Sequence, residues 1–212
     1  MKRNPNVYIC GVGYVGFPLV MECAKSSETV YAQDLTSTRI KELASILKVN
    51  INLNSSHNLT FSWKNVNFSQ SAPSNLQDYE VYIFCLPTPL SKSGNPDPSN
   101  LIKTLKKFAF LASENSLFII ESTVSAGFCR KIAFHLRDVV KNKKIEIAFS
   151  PERIDPLNKK WDVKNTPKLV AGLTDKAKDK AVEFYAKFID TVIPCSSLEV
   201  AETAKQIGRA HV

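Results

Sequence analysis

Near the amino end, Gly11-Val12-Gly13-Tyr14-Val15-Gly16 spaces three glycines as G-x-G-x-x-G. Residues so spaced can grip a pyrophosphate through backbone N–H groups. Gly11 allows the tight turn, Gly13 lets the main chain approach the phosphates, and Gly16 permits a helix to pack closely on a strand. The exposed N–H groups at the helix start, around Tyr14 and Val15, carry the partial positive charge that draws an anion. Asp34 ends the next apolar run. An acid some twenty residues past the glycines accepts from ribose hydroxyls and repels a 2′-phosphate, so the pair points to NAD rather than NADP. Arg39 joins this cofactor set and keeps the other cofactor open, since a nearby arginine can accommodate that phosphate.

This chemistry needs a strand before the glycines and a helix after them, and the surrounding pattern supplies both. Short β-rich runs are expected as strands at Val7–Cys10, Thr29–Gln33, Val66–Phe68, Glu80–Leu86, Leu117–Glu121, Ile145–Phe149, Lys168–Gly172 and Thr191–Cys195. Several are continuous apolar runs, as strands buried on both faces are. Amphipathic stretches between them predict helices over Tyr14–Lys25, Thr38–Leu47, Ser99–Leu111, Ala126–Lys141 and Asp175–Phe188. The polar stretch Asn50–Asn58 reads as loop. Such alternation predicts an α/β, Rossmann-type doubly wound sheet of about eight mostly parallel strands, with helices on both faces.

Composition narrows the function classes. Of 212 residues, 44% are hydrophobic and 23% charged, which is globular composition. The net charge of +8 comes from lysines spread along the chain, without the aromatic-basic interleaving of an RNA-binding surface. No nucleic-acid partner is expected, and the basic balance suits a small anionic substrate. No apolar run approaches the ~20 residues of a membrane span. Met1-Lys2-Arg3-Asn4-Pro5 leads into a short apolar run without a secretory h-region, so a cytoplasmic location without membrane contact is expected. Five cysteines without a C-x-x-C pair read as reduced thiols, not as a disulfide or metal framework.

Further along, Leu86-Pro87-Thr88-Pro89 is followed by Gly94-Asn95-Pro96-Asp97. Glu121-Ser122-Thr123-Val124 precedes Gly127, then come Ser150-Pro151-Glu152-Arg153 and Ala201-Glu202-Thr203-Ala204-Lys205. In this order the motifs resemble those of the UDP-glucose/GDP-mannose dehydrogenase family, over about residues 6–205. The resemblance implies a nucleotide-sugar 6-dehydrogenase, which oxidises the sugar C6 alcohol to a carboxylate with NAD. It places Pro87, Thr88, Glu121, Ser122 and Thr123 beside the cofactor. Thr123 would also stand near the reacting carbon, Glu152 would assist water activation, and Lys205 would stabilise an oxyanion at C6. Arg153 tilts the likeness toward members acting on UDP-N-acetylhexosamines. A UDP-sugar substrate, a homodimer joined by the interdomain helix, and a role in making polysaccharide precursors are further implications. Other Rossmann dehydrogenases share the glycine motif but leave the later motifs unexplained.

Some positions depart from the family pattern. Leu157 replaces a turn glycine, Ala126 a proline, and no E-P-x-L stretch lies between Leu47 and Phe61. No cysteine has the family's glycine-rich nucleophile context, and Arg209 stands where an asparagine is usual. The final Ile207-Gly208-Arg209-Ala210-His211-Val212 reads as the translation of a common sequencing-library adapter. The expected organisation is therefore 1–196 as NAD-binding domain, 197–206 as the start of a truncated interdomain helix, and 207–212 as a non-native tail. Such a chain is expected to bind NAD weakly and turn nothing over. The alternative is a stand-alone NAD-binding module without chemistry.

Overall fold

The computed structural model of the chain describes residues 3–91, 96–140, 143–152 and 162–209. The first half runs β1 (Val7–Cys10), α1 (Gly16–Cys23), β2 (Val30–Gln33), α2 (Ser37–Leu47), β3 (Asn52–Leu53), β4 (Leu59–Trp63), β5 (Val66–Ser69) and β6 (Val81–Phe84). The second half continues with α3 (Ser99–Leu111), β7 (Leu117–Ile120), α4 (Phe128–Val140), β8 (Glu146–Phe149), β9 (Lys168–Gly172), α5 (Asp175–Tyr185), β10 (Val192–Pro194) and α6 (Leu198–Arg209). Among the described residues no helix is long and apolar enough to cross a membrane.

All strands join one sheet in the order β10-β9-β8-β7-β6-β1-β2-β5-β4-β3. The stretch from β5 through β2, β1, β6 and β7 to β8 is parallel throughout. Its strand order is that of a doubly wound dinucleotide-binding fold. β9 then runs antiparallel to β8, and β10 parallel to β9.

The expected eight strands become ten because β3 and β4 extend the far edge as an antiparallel meander on β5. The stretch expected as loop over Asn50–Asn58 is thus partly strand, at Asn52–Leu53, and partly a tight turn. Asn54 Oδ1 accepts from the N–H groups of Ser56 and Asn58, both at 3.0 Å, which closes that turn. β4 is anchored by one buried ring, Phe61, stacked on Phe68 with centroids 4.6 Å apart. An antiparallel strand near the sheet margin needs only one buried face, and here one residue supplies most of it.

Alternation along the central strands divides the core in two. Val7, Ile9, Ile83 and Ile119 face one side, where α1, α2 and α5 cover them. Tyr8, Tyr82, Phe84, Phe118 and Ile120 face the other, beneath α3, α4 and α6. The second layer is aromatic: Phe108 of α3 sits 4.9 Å from Tyr8 and 5.8 Å from Phe84. Each such buried side chain contributes roughly 2 kcal/mol. Because α1 leaves β1 toward one face and α3 leaves β6 toward the other, a crevice opens between them. It lies at the carboxyl edge of the sheet, where folds of this order bind ligands.

Candidate functional site

β1 ends in a loop that only glycine can make. Gly11 has φ +92°, and a Cβ there would stand 2.6 Å from the carbonyl oxygen of Cys85. A Cβ on Gly16 would collide with the carbonyl of Gly11, so α1 could not approach β1 as closely. Gly13 differs, since nothing lies within 4 Å of where its Cβ would stand. It faces open space, as a backbone must if phosphates are to come against it. No side chain caps the start of α1, which leaves its first N–H groups directed at the same space.

Asp34 holds the loop from the side. Its Oδ2 accepts from the Val12 N–H at 3.0 Å and its Oδ1 from the Thr36 N–H at 3.0 Å. A carboxylate retains further lone pairs for ribose hydroxyls. Arg39 donates from Nε to the Val12 carbonyl at 2.7 Å and from Nη2 to the Gly13 carbonyl at 3.4 Å, and pairs with Glu42 at 2.8 Å. In this arrangement its guanidinium braces the glycine loop.

The crevice itself is a cleft of about 680 Å³. Gly11, Gly13, Tyr14, Val15 and Asp34 line one half; Pro87, Thr88, Glu121, Ser122, Thr123, Glu152 and Lys205 line the other. Every site residue expected from sequence is therefore in its wall except Gly16 and Arg39, which support the wall from behind. Arg153 to Leu157 and Gly94-Asn95 lie outside the described residues. Among the wall residues that the sequence reading did not single out are Asn100, Thr104 and Lys107 of α3. Their i, i+4, i+7 spacing marks one helix face, and that polar face beside the buried Leu101, Leu105 and Phe108 was the available signal.

The loops after β6 and β7 are tied together. Thr88 Oγ1 donates to the Thr123 carbonyl at 2.6 Å, and Ser122 donates from its N–H and its hydroxyl to the Phe84 carbonyl, both at 3.3 Å. α6 then clamps the loop after β7 from the outside. The buried carboxylate of Glu202 accepts from the N–H groups of Gly127 at 2.6 Å and Cys129 at 2.8 Å, capping α4 from a distant helix. Gln206 Nε2 donates to the Val124 carbonyl at 2.9 Å, and Arg130 pairs with Glu199 at 2.6 Å. Lys205 Nζ donates to the carbonyl of Glu152. Glu202→Ala should lower the unfolding free energy by about 2 kcal/mol, since it leaves buried N–H groups without acceptors. Urea denaturation reads this, and an unchanged midpoint would remove the cap from the account.

Beneath the wall lies a buried ionic cluster. Lys168 Nζ stands 3.0 Å from Glu121 Oε2 and 3.0 Å from Glu152 Oε2, with its side chain 4% exposed. The Tyr185 hydroxyl donates to the remaining Glu121 oxygen. Burial raises Glu121 from the ordinary 4.5 to about 7, against the lowering pull of Lys168. Burial draws the Lys168 ammonium down, but Glu121 and Glu152 outweigh it and hold it above the ordinary lysine value. Lys168 also escaped the sequence reading, which took it only as the first residue of a strand. The missed signal is alternation: it shares a face of β9 with Val170, which is fully buried.

Comparison with known proteins follows the same line. The profile described as UDP-glucose/GDP-mannose dehydrogenase family, NAD binding domain, matches residues 5–189. A UDP-N-acetyl-D-glucosamine 6-dehydrogenase of Salmonella typhi is 30% identical over 206 residues, covering 95% of this chain and 48% of that protein. A UDP-N-acetyl-D-mannosamine dehydrogenase of Pyrococcus horikoshii is 27% identical over 94% of this chain and 48% of its own length. The solved structure of a UDP-D-ManNAc dehydrogenase from Pyrococcus horikoshii superposes with a TM-score of 0.81 at 23% identity, over 97% of this chain and 50% of that one. The chain spans about half the length of the curated relatives it matches.

Proposed function

The chain belongs to the UDP-glucose/GDP-mannose dehydrogenase family and carries its NAD-binding domain, and from that premise we propose that it serves the NAD-dependent oxidation of the C6 alcohol of a UDP-linked sugar to the uronate. The observation that carries this reading is one cleft with two unlike halves. One half has the open backbone at Gly13 and the uncapped start of α1; the other gathers Thr123, Glu152 and Lys205.

The first half fits a dinucleotide. Gly11, Gly13, Tyr14 and Val15 receive the pyrophosphate, Gly16 keeps α1 close, and Asp34 accepts from the adenosine ribose. Arg39 holds the glycine loop in the shape this requires. The nicotinamide half lies across the switch point, over Pro87, Thr88, Glu121 and Ser122. When bound, NAD⁺ accepts the hydride that leaves C6. Thr123 orients the C6 hydroxyl, Glu152 activates water for the hydrolytic step, and Lys205 stabilises negative charge on the C6 oxygen. Lys205 lies against the Glu152 backbone, which supports the two acting on one carbon.

The same reading takes residues 1–196 as the cofactor domain and 197–206 as the start of a helix toward a substrate domain. It expects a homodimer working in the cytoplasm, where nucleotide cofactors and nucleotide sugars are kept, and supplying polysaccharide precursors. UDP-N-acetylhexosamines are the favoured sugars, because relatives so named match over nearly the whole chain.

Two measurements test it. In calorimetry, NADP⁺ should bind at least about tenfold more weakly than NAD⁺, and Asp34→Ala should narrow that gap by removing the charge that repels a 2′-phosphate. Equal affinities in the parent protein would contradict the role given to Asp34. With the full-length gene product, UDP-N-acetylglucosamine or UDP-N-acetylmannosamine should yield two NADH per sugar. No NADH from any UDP- or GDP-linked sugar overturns the reading.

A further inference from the structure

One cluster in the cleft wall holds a carboxyl group, that of Glu121, whose charge has no task in the proposed reaction. Glu121 and Glu152 both line the cleft, while Lys168 and Tyr185 lie behind them and do not. One ammonium thus holds two carboxylates at 3.0 Å each, and the three side chains are at most 6% exposed. Both oxygens of Glu121 are engaged, one by Lys168 and one by Tyr185, so its carboxyl group is fixed in place. This group lies under the half of the cleft assigned to the nicotinamide.

We propose that the Glu121–Lys168–Glu152 trio selects the cofactor's oxidation state by charge: ionised, it favours NAD⁺ over NADH, and Lys168 and Tyr185 are its positioning residues. The inference rests on the reading of the cleft as the NAD site. The nicotinamide ring is cationic in NAD⁺ and neutral once it has accepted a hydride. A buried negative charge beneath it attracts the first form and has no such hold on the second, in a setting where water screens little. The reduced cofactor is thereby released in favour of the oxidised one, which an oxidation needing two hydride acceptors per sugar requires.

Several groups face Glu121 and set when it ionises. They are Lys168 from β9, Tyr185 from α5, Glu152 after β8, Cys85 after β6 and Cys23 from the end of α1. Lys205 of α6 reaches the same corner through the Glu152 carbonyl. Lys168 and the Tyr185 hydroxyl favour the charged form; burial and Glu152 oppose it and leave it near 7. Each loss of the Glu121 proton adds one negative charge to the cleft floor.

The test is the affinity of the protein for NAD⁺ and for NADH, measured separately from about pH 5.5 to about pH 8.5. The ratio of the NADH to the NAD⁺ dissociation constant should rise about tenfold with pH, as one buried charge acting on a cationic ring produces, with its midpoint near 7. Glu121→Gln should flatten the rise. Tyr185→Phe, which removes only a hydroxyl, should move the midpoint to higher pH, because that hydrogen bond favours the ionised carboxyl. A ratio independent of pH in the parent, or an unmoved midpoint in Tyr185→Phe, overturns the proposal while leaving NAD binding intact. Binding of neither form overturns it together with the reading on which it rests.

Discussion

Gly13→Val is expected to fold as the parent does and to bind NAD⁺ at least about a hundredfold more weakly, a loss of roughly 2.7 kcal/mol. Space explains why both halves of that outcome go together. No atom lies within 4 Å of the added Cβ, and Gly13 is not among the glycines with positive φ, so the folded chain meets little strain. The branched side chain instead fills the approach to the backbone that the pyrophosphate needs. Its neighbours behave differently. A side chain at Gly16 strikes the Gly11 carbonyl, and one at Gly11 strikes Cys85, so substitutions there damage the fold before they reach the ligand. The thermal midpoint of Gly13→Val should therefore stay within about 2 °C of the parent, a shift worth about 0.5–1 kcal/mol at most, while Gly16→Val falls well below it. Calorimetry alongside thermal melts makes the comparison. Near-parental NAD⁺ affinity in Gly13→Val removes the pyrophosphate from this loop.

The second large effect belongs to Lys168. Lys168→Met should destabilise the chain by about 3–5 kcal/mol near neutral pH, because two buried carboxylates lose the ammonium that stands between them. The pH dependence distinguishes this from lost packing. Glu121 already binds its proton more tightly in the folded chain, with its value raised from 4.5 to about 7. Between those values the folded state holds more protons than the unfolded one, so this group's contribution falls as pH rises through the window. Removing the ammonium takes away an influence that lowers the Glu121 value, so it climbs further and the penalty at higher pH grows. Below the unfolded value the carboxyl is protonated in both states and the penalty vanishes. Urea denaturation should accordingly show a much smaller cost of Lys168→Met near pH 5 than near pH 8. Equal costs at the two pH values would mean that the lysine acts through its hydrocarbon stem alone.

What could be read from sequence follows from how far each interaction reaches along the chain. The central strands were legible because runs such as Val81-Tyr82-Ile83-Phe84 are apolar at every position, and only burial on both faces accounts for that. The glycine loop was legible because its geometry is a property of consecutive residues. β4 was not: Leu59-Thr60-Phe61-Ser62-Trp63 is too short and too polar to stand out, and its pairing comes from β5. Glu121 was placed correctly at the carboxyl edge, yet its partners lie 47 and 64 positions further on, at Lys168 and Tyr185. Nothing local announces such a cluster. Arg39 was placed near the cofactor by spacing, but spacing does not say that its guanidinium lies against the Val12 and Gly13 carbonyls.

The attachment of α6 has a mechanical consequence. Glu202, Gln206 and Glu199 fasten it to residues 124–130, and Lys205 fastens it to Glu152. These contacts are spread over two turns, so the helix cannot roll or slide without carrying the Thr123 loop with it. α6 is therefore a lever with its short arm in the cleft. A force applied along its outer face arrives as a displacement of the threonine and glutamate over which the sugar would sit, while the glycine loop, joined to other strands, keeps its hold on the far end of the dinucleotide.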